Sequence, residues 1–134
     1  MLSLDTNCLL RWLLGDVPAQ ADQVAELLAR PSRYDVADVA LVEVVFVLEK
    51  QLLLSRPAVA ASVDQLVSQP NLVFDKVLWS GIMETYLKRP KLSAVDIYLA
   101  ARARAHADGT LLTFDQKLAS QEAGVRLLLT DHPA

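Results

Sequence analysis

The sequence predicts an α/β fold: a three-layer α/β/α domain around a central, mostly parallel sheet of about five strands. Three observations lead there. Short apolar runs with strand character alternate with longer segments whose apolar residues recur at helical spacing. Such alternation implies parallel strands joined by right-handed crossovers. The length, 134 residues with 53% hydrophobic content, suits one ordered domain over residues 1–134 with a real core.

Residues 1–4 form the first strand, and Cys8 to Leu14 continue as a helix, with Thr6 and Asn7 as capping residues. Residues 18–30 read as a second helix, in which Pro18 stands near the start, Ala21, Val24, Leu27 and Leu28 share a face, and Pro31 stops it. Residues 34–38 make a second strand. The helix that follows, about 40–53, is apolar nearly all round, which predicts burial on several sides by the core and by another chain. Residues 57–69 form a helix with Val59, Val63, Leu66 and Val67 inward, and Pro70-Asn71 separates it from a third strand at 72–74. Residues 76–88 are amphipathic through Val77, Leu78, Ile82, Met83, Tyr86 and Leu87. The basic stretch Lys88-Arg89-Pro90-Lys91 leads to Ser93-Ala94-Val95-Asp96, which opens a long helix through Ala107 that Asp108-Gly109 ends. A fourth strand at 110–114 runs into Asp115, a short helix covers 116–119, and a last strand covers 125–129.

Thirteen basic and sixteen acidic residues give a net charge of −3, which argues against a protein that coats nucleic acid by bulk charge. Local grip on a nucleic acid stays compatible with it. The longest apolar run, 39–48, is broken by Glu43 and too short for a bilayer. No basic region precedes the N-terminal apolar residues, so no secretory signal is expected. The single cysteine, Cys8, has no partner for an internal disulfide, and a reducing, cytoplasmic setting is the expectation.

Four acids stand out by position. Asp5 ends the first strand and Asp115 the fourth; Asp96 sits in the first turn of its helix, and Glu43 lies early in the apolar helix. In a parallel sheet, strand C-termini and the helix N-termini after them share one edge, so the four carboxylates can converge there. Asp5 and Asp115 could equally be helix caps, and Asp96 is favoured by the helix dipole wherever it serves. Glu43 has Val39, Phe46 and Val47 as helical neighbours, and a charge on an apolar face is costly unless paired or bound to metal. Asp38 and Glu49 are weaker candidates, the first as a cap, the second solvated beside Lys50. Two carboxylates about 5 Å apart repel by roughly 3 kcal/mol at an effective dielectric of 20, so a cluster of four calls for a cation. Oxygen-only ligation suits Mg²⁺ or Mn²⁺, which keep waters and share phosphate oxygens. The acids therefore point to metal-assisted chemistry on phosphate.

Leu4-Asp5-Thr6-Asn7, Val42-Glu43-Val44-Val45-Phe46-Val47-Leu48, Ser93-Ala94-Val95-Asp96-Ile97-Tyr98-Leu99-Ala100 and Leu112-Thr113-Phe114-Asp115-Gln116-Lys117 together resemble the ordered motifs of PIN-domain ribonucleases, most closely VapC-type toxins of toxin–antitoxin pairs. The resemblance covers the whole chain. It implies endonucleolytic cleavage of single-stranded RNA, with Asp5, Glu43 and Asp96 holding the principal cation (Mg²⁺ or Mn²⁺) and Asp115 completing the site or assisting a second ion. It also implies a homodimer and a small antitoxin that wraps the toxin. Gln116 and Lys117 follow Asp115, and no acid flanks Asp96 closely, where the family often has more.

Asn7 and Thr113 are expected to orient an acid or a water. Lys88, Arg89, Lys91 and Arg11 are candidates for the RNA backbone, the first three equally readable as a solvated loop. His106 and His132 are too peripheral for catalysis. Cys8 reads as a small apolar residue, since no His accompanies it as a base. Two kinds of rival were weighed. A haloacid-dehalogenase-type phosphatase wants a second acid two positions after the first, where Asn7 stands, and a response-regulator receiver wants paired acids after strand one. A catalytically silent PIN-like module that binds RNA or a partner would have no need of all four acids.

Overall fold

A parallel ladder organises the first half of the chain. β1 (Leu2–Ser3) pairs with β2 (Tyr34–Asp35), and β2 with β3 (Leu72–Val73), in the register Leu2↔Tyr34↔Leu72. The computed structural model describes residues 1–106 and 109–128. The chain divides into two compact units, Met1–Ser80 and Gly81–Ala134, the boundary falling within helix α5 (Lys76–Lys88).

In the first unit, β1 leads through Asp5 into α1 (Thr6–Leu14). Gly15, at φ 62°, stops it in the left-handed region, where glycine carries no Cβ penalty. α2 (Pro18–Leu28) packs on α1 and ends two residues short of the predicted bound, as the Ala29 N–H turns back to the Ala25 and Leu27 carbonyls. After β2 comes α3 (Asp38–Phe46), which contacts α1. Its predicted continuation to residue 53 is instead a π-helical turn, Val47–Gln51, closed by a Leu52 N–H to Val47 carbonyl bond of 2.9 Å. Leu53 then takes a left-handed φ of 57° and ends the segment.

α3 is not buried all round. Leu41, Val44 and Val45, with Leu48 in the π turn, are in the core, each such side chain worth about 1.5–3 kcal/mol of burial. Val39 (64%) and Phe46 (52%) face solvent. α4 (Arg56–Val67) is capped by Ser55, whose side chain accepts from the Ala58 N–H, and buries Val59, Val63 and Leu66 as predicted.

α5 matches its predicted bounds but not its predicted stripe. Trp79, Ile82, Met83 and Tyr86 are buried, while Val77 and Leu87 are exposed. Trp79 turns inward because Asp38 Oδ1 accepts from its indole Nε1 at 3.1 Å, which satisfies the one polar atom of that ring.

The second unit contains α6 (Ala94–Ala105), β4 (Leu111–Thr113), α7 (Gln116–Gln121) and β5 (Val125–Leu127). β4 and β5 pair in parallel from Leu111↔Val125 to Thr113↔Leu127. Gly124, at φ +77°, has no room for a side chain: a Cβ there would meet the Gly109 carbonyl oxygen at 2.8 Å. α6 and β5 are shorter than expected, and the predicted continuations at Ala107, Asp108 and Leu129 lie outside the described residues, as does His132.

The α/β class, with five parallel strands among the described residues, is what the structure has. The strands fall into a ladder of three and a ladder of two, one in each unit, rather than a single ladder of five. Among the described residues no helix is long and apolar enough to cross a membrane.

Candidate functional site

Asp5 is the N-cap of α1. Its Oδ1 accepts from the Cys8 backbone N–H at 2.9 Å, so Thr6 and Asn7 are not the caps but the first helical residues. That N–H is the main reason the Asp5 carboxyl lies below its usual pKa, with the Cys8 thiol and the Asn7 backbone N–H adding to it. Asp5 is solvent-exposed and ionised at neutral pH.

Glu43 comes to the same turn from elsewhere in the chain. The Thr6 hydroxyl donates to Glu43 Oε1 at 3.3 Å, across 37 residues of sequence. Glu43 is exposed rather than buried, because the apolar residues flanking it, Val39 and Phe46, themselves face water. The burial cost expected from those neighbours is therefore not incurred.

The Cys8 N–H donates to Asp5 Oδ1 and the Thr6 hydroxyl to Glu43 Oε1, and both carboxylates are exposed. Two ionisable oxygens open to solvent are a donor set for a hard cation that keeps most of its own water. Among the described residues, no group of three His, Cys, Asp or Glu side chains could hold an ion by itself.

In the second unit Asp96 occupies the third position of α6. Its backbone N–H donates to the N-cap Ser93 Oγ at 3.1 Å, half of a capping box. Asp115 is the N-cap of α7, its Oδ1 accepting from the Leu118 N–H at 3.1 Å. Thr113 Oγ1 accepts from the Asp115 backbone N–H at 3.0 Å, a bond to the main chain rather than to the acid's side chain. α6 packs against β4 and is joined to it by residues 106–110 alone.

A hollow of about 360 Å³ lies between α1 and α2. Asp5, Asn7, Cys8 and Arg11 form one wall, and Gln20, Gln23, Val24 and Leu27 the other. Arg11 Nη1 pairs with Asp16 Oδ2 at 3.3 Å, while the buried Arg11 Nε has no hydrogen-bond partner among the described residues. The Asn7 side chain makes no hydrogen bond to either acid; its backbone N–H, not its amide, acts on Asp5. Burial raises the pKa of Cys8, so the thiol is protonated at neutral pH and no thiolate nucleophile is present.

The remaining candidates spread out. Lys88 ends α5 and holds Glu84 at 2.7 Å, one turn back. Arg89 and Lys91 are exposed in the turn, closed by the Leu92 N–H on the Arg89 carbonyl, that leads to α6. His106 is exposed at the C-terminus of α6. Asp38 does not cap α3; it lies in the first turn and accepts a hydrogen bond from the Trp79 indole N–H. Glu49, expected in solvent, is largely covered and faces Arg56 at 3.5 Å as well as Lys50 at 3.7 Å.

Three contributors escaped the sequence reading: Thr6, Gln20 and Gln23. Thr6 follows the first acid directly and could have been noticed as a hydroxyl beside a carboxylate. The two glutamines, one helical turn apart on α2, carry no such signal.

The family model described as PIN domain matches residues 2–123. No curated protein matches the chain.

Proposed function

The chain belongs to the PIN-domain family, whose members are typically nucleases that use divalent metal ions, and we propose that it is a single-domain, Mg²⁺- or Mn²⁺-dependent endoribonuclease cutting single-stranded RNA. In this reading Asp5, Glu43, Asp96 and Asp115 are the metal-holding acids. The observation that carries it is the Thr6–Glu43 hydrogen bond, which brings a second carboxylate to the helix turn that Asp5 caps. A bound divalent cation supplies Lewis acidity toward the scissile phosphate and activates water. The protein's part is to aim the carboxylates: the Cys8 N–H caps Asp5 and favours its charged form, the Thr6 hydroxyl orients Glu43, and the Thr113 hydroxyl fixes the backbone of Asp115.

In the same reading Lys88, Arg89 and Lys91, close before the Asp96 helix in sequence, would meet an RNA backbone. Phe114, 72% exposed beside Asp115, offers a ring on which a base can stack. The likeness of the motifs to VapC-type toxins extends the reading to a cytoplasmic toxin that forms a homodimer and is held by a cognate antitoxin. The exposed Val39 and Phe46 around Glu43 are suited to burial by such a partner.

The test is to sequence RNA ends after inducing the protein, and to repeat the cleavage with purified protein, metal and chelator. Discrete new ends that need Mg²⁺ or Mn²⁺ and vanish in Asp5→Asn and Glu43→Gln are expected. Glu43 is exposed, so its Gln variant should fold within about 0.5 kcal/mol of the parent. Cleavage by Glu43→Gln at the parent rate would remove it from the machinery.

A further inference from the structure

The hollow between α1 and α2 has a makeup that phosphate chemistry does not explain. It lies beside Asp5, yet its lining is mostly uncharged: the amides of Asn7, Gln20 and Gln23 and the aliphatic side chains of Val24 and Leu27. None of the three amides has a hydrogen-bond partner among the described residues. The charges nearby are Asp5, Asp16 and the Arg11 that Asp16 neutralises, leaving one negative charge. An anionic phosphate is thus disfavoured in the hollow itself. A flat, neutral ring with polar edges is favoured, because aliphatic walls can contact its face and amides its rim.

Arg11 narrows the choice. Its Nη1 is engaged by Asp16, while Nε is buried without an acceptor. A buried donor left unsatisfied is costly, and a ligand acceptor that draws the guanidinium toward it removes that cost. The side edge of a guanidinium donates two parallel N–H bonds, and guanine answers with the adjacent acceptors O6 and N7. Adenine places an amino donor beside N7 and cannot. Guanine also presents N1–H and N2–H donors, which the Gln20 and Gln23 amide oxygens can accept. The volume, about 360 Å³, is at the small end of ligand pockets and suits one nucleobase rather than a stretch of chain.

We infer that the α1–α2 hollow is a guanine-binding subsite, seating a base next to the phosphodiester to be cut, with Arg11 as the residue that sets base preference. The inference rests on the ribonuclease reading for its place in cleavage, but the pocket can be tested apart from cleavage. Guanosine, adenosine, cytidine and uridine are titrated into the full-length protein in chelator, with backbone amide shifts of residues on α1 and α2 as the signal. Guanosine should bind about tenfold or more tightly than the other three, and Arg11→Lys, which keeps the charge but not the fork, should erase the difference. Gln23→Ala should weaken guanosine severalfold, with thermal melts confirming that both variants fold. Equal binding of all four nucleosides, guanosine shifts confined to other elements, or a preference intact in Arg11→Lys would overturn the inference. So would saturation of the hollow by arginine amide but not guanosine, which would assign it to a cationic side chain. RNA cleavage without guanosine binding would sink the subsite alone, whereas selective guanosine binding by a protein that cuts no RNA would sink the ribonuclease reading and leave the pocket.

Discussion

Replacing Thr6 by Val separates the role of its hydroxyl from that of its shape. Both side chains are β-branched and nearly equal in volume, so the first turn of α1 keeps its propensity and packing. What disappears is the hydrogen bond to Glu43 Oε1. At 3.3 Å it is long for an O–H···O bond, whose usual range is about 2.5–3.0 Å, and it lies in solvent. Its net worth therefore sits at the low end for hydrogen bonds, about 0.5–1 kcal/mol. If the same bond holds Glu43 toward the α1 turn when the cation is bound, its loss lowers metal affinity by that amount. At about 1.4 kcal/mol per factor of ten, this is a roughly two- to fivefold rise in the Mn²⁺ concentration needed for half-maximal cleavage.

The assay pairs urea unfolding with RNA cleavage across a Mn²⁺ titration, for Thr6→Val and Thr6→Ser. Thr6→Ser keeps the hydroxyl and should follow the parent in both measurements. The valine variant should shift the metal curve, while its unfolding free energy falls by no more than the bond's worth of about 0.5–1 kcal/mol and its slope stays unchanged. An unshifted metal curve in Thr6→Val, or an equal shift in Thr6→Ser, would refute Thr6 as a positioning residue for Glu43.

Asp5→Ala in chelator should cost about 1 kcal/mol near neutral pH through loss of the α1 cap. Because the folded Asp5 pKa is lowered, the stabilisation from its ionised form is whole above the ordinary carboxylate pKa and is lost as pH falls through the folded value. Urea midpoints of parent and variant should therefore keep a constant gap from pH 8 to 5 and converge below about pH 4; a gap that widens in acid contradicts this. Ser93→Ala should destabilise by about 1 kcal/mol, and Ser93→Gly by only a few tenths, since it caps α6 through the Asp96 N–H; equal losses in chemical denaturation would show that the hydroxyl does not cap. Saturating Mn²⁺ at a hundredfold over its Kd should stabilise the parent by about 2.7 kcal/mol in thermal melts. An equal shift in Asp5→Asn would count against a site built on Asp5.

The fold was legible where local pattern decides it. Proline and serine starts, apolar spacing and strand-sized runs placed most helices and strands to within a few residues. The misplacements have separate causes. Trp79 stands three, four and seven positions before Ile82, Met83 and Tyr86, so helical spacing already favours it over Val77, whose apolar type alone suggested an inner place. What spacing does not announce is Asp38, 41 residues away, which accepts a hydrogen bond from the indole N–H and leaves the buried ring satisfied. The π turn at Val47–Gln51 depends on where Leu52 closes its hydrogen bond, which no residue type announces.

At the candidate site the sequence posed a choice that the structure dissolves. A carboxylate at a strand-to-helix junction reads either as a cap or as a ligand, and residue type cannot separate the two. Asp5 and Asp115 are both caps, each through Oδ1 alone. A carboxylate has a second oxygen, and capping commits only one. At Asp5 the capping N–H also stabilises the charged form, so it keeps the acid ionised and fixes the direction of the other oxygen. Capping and metal binding are thus compatible at one carboxylate, which is why residue type alone does not decide between them. Glu43 had no such cue, and its apolar neighbours suggested a buried charge that is in fact exposed. Its orientation comes instead from Thr6, one residue past the cap, which gives the first turn of α1 a hold on both acids of its unit.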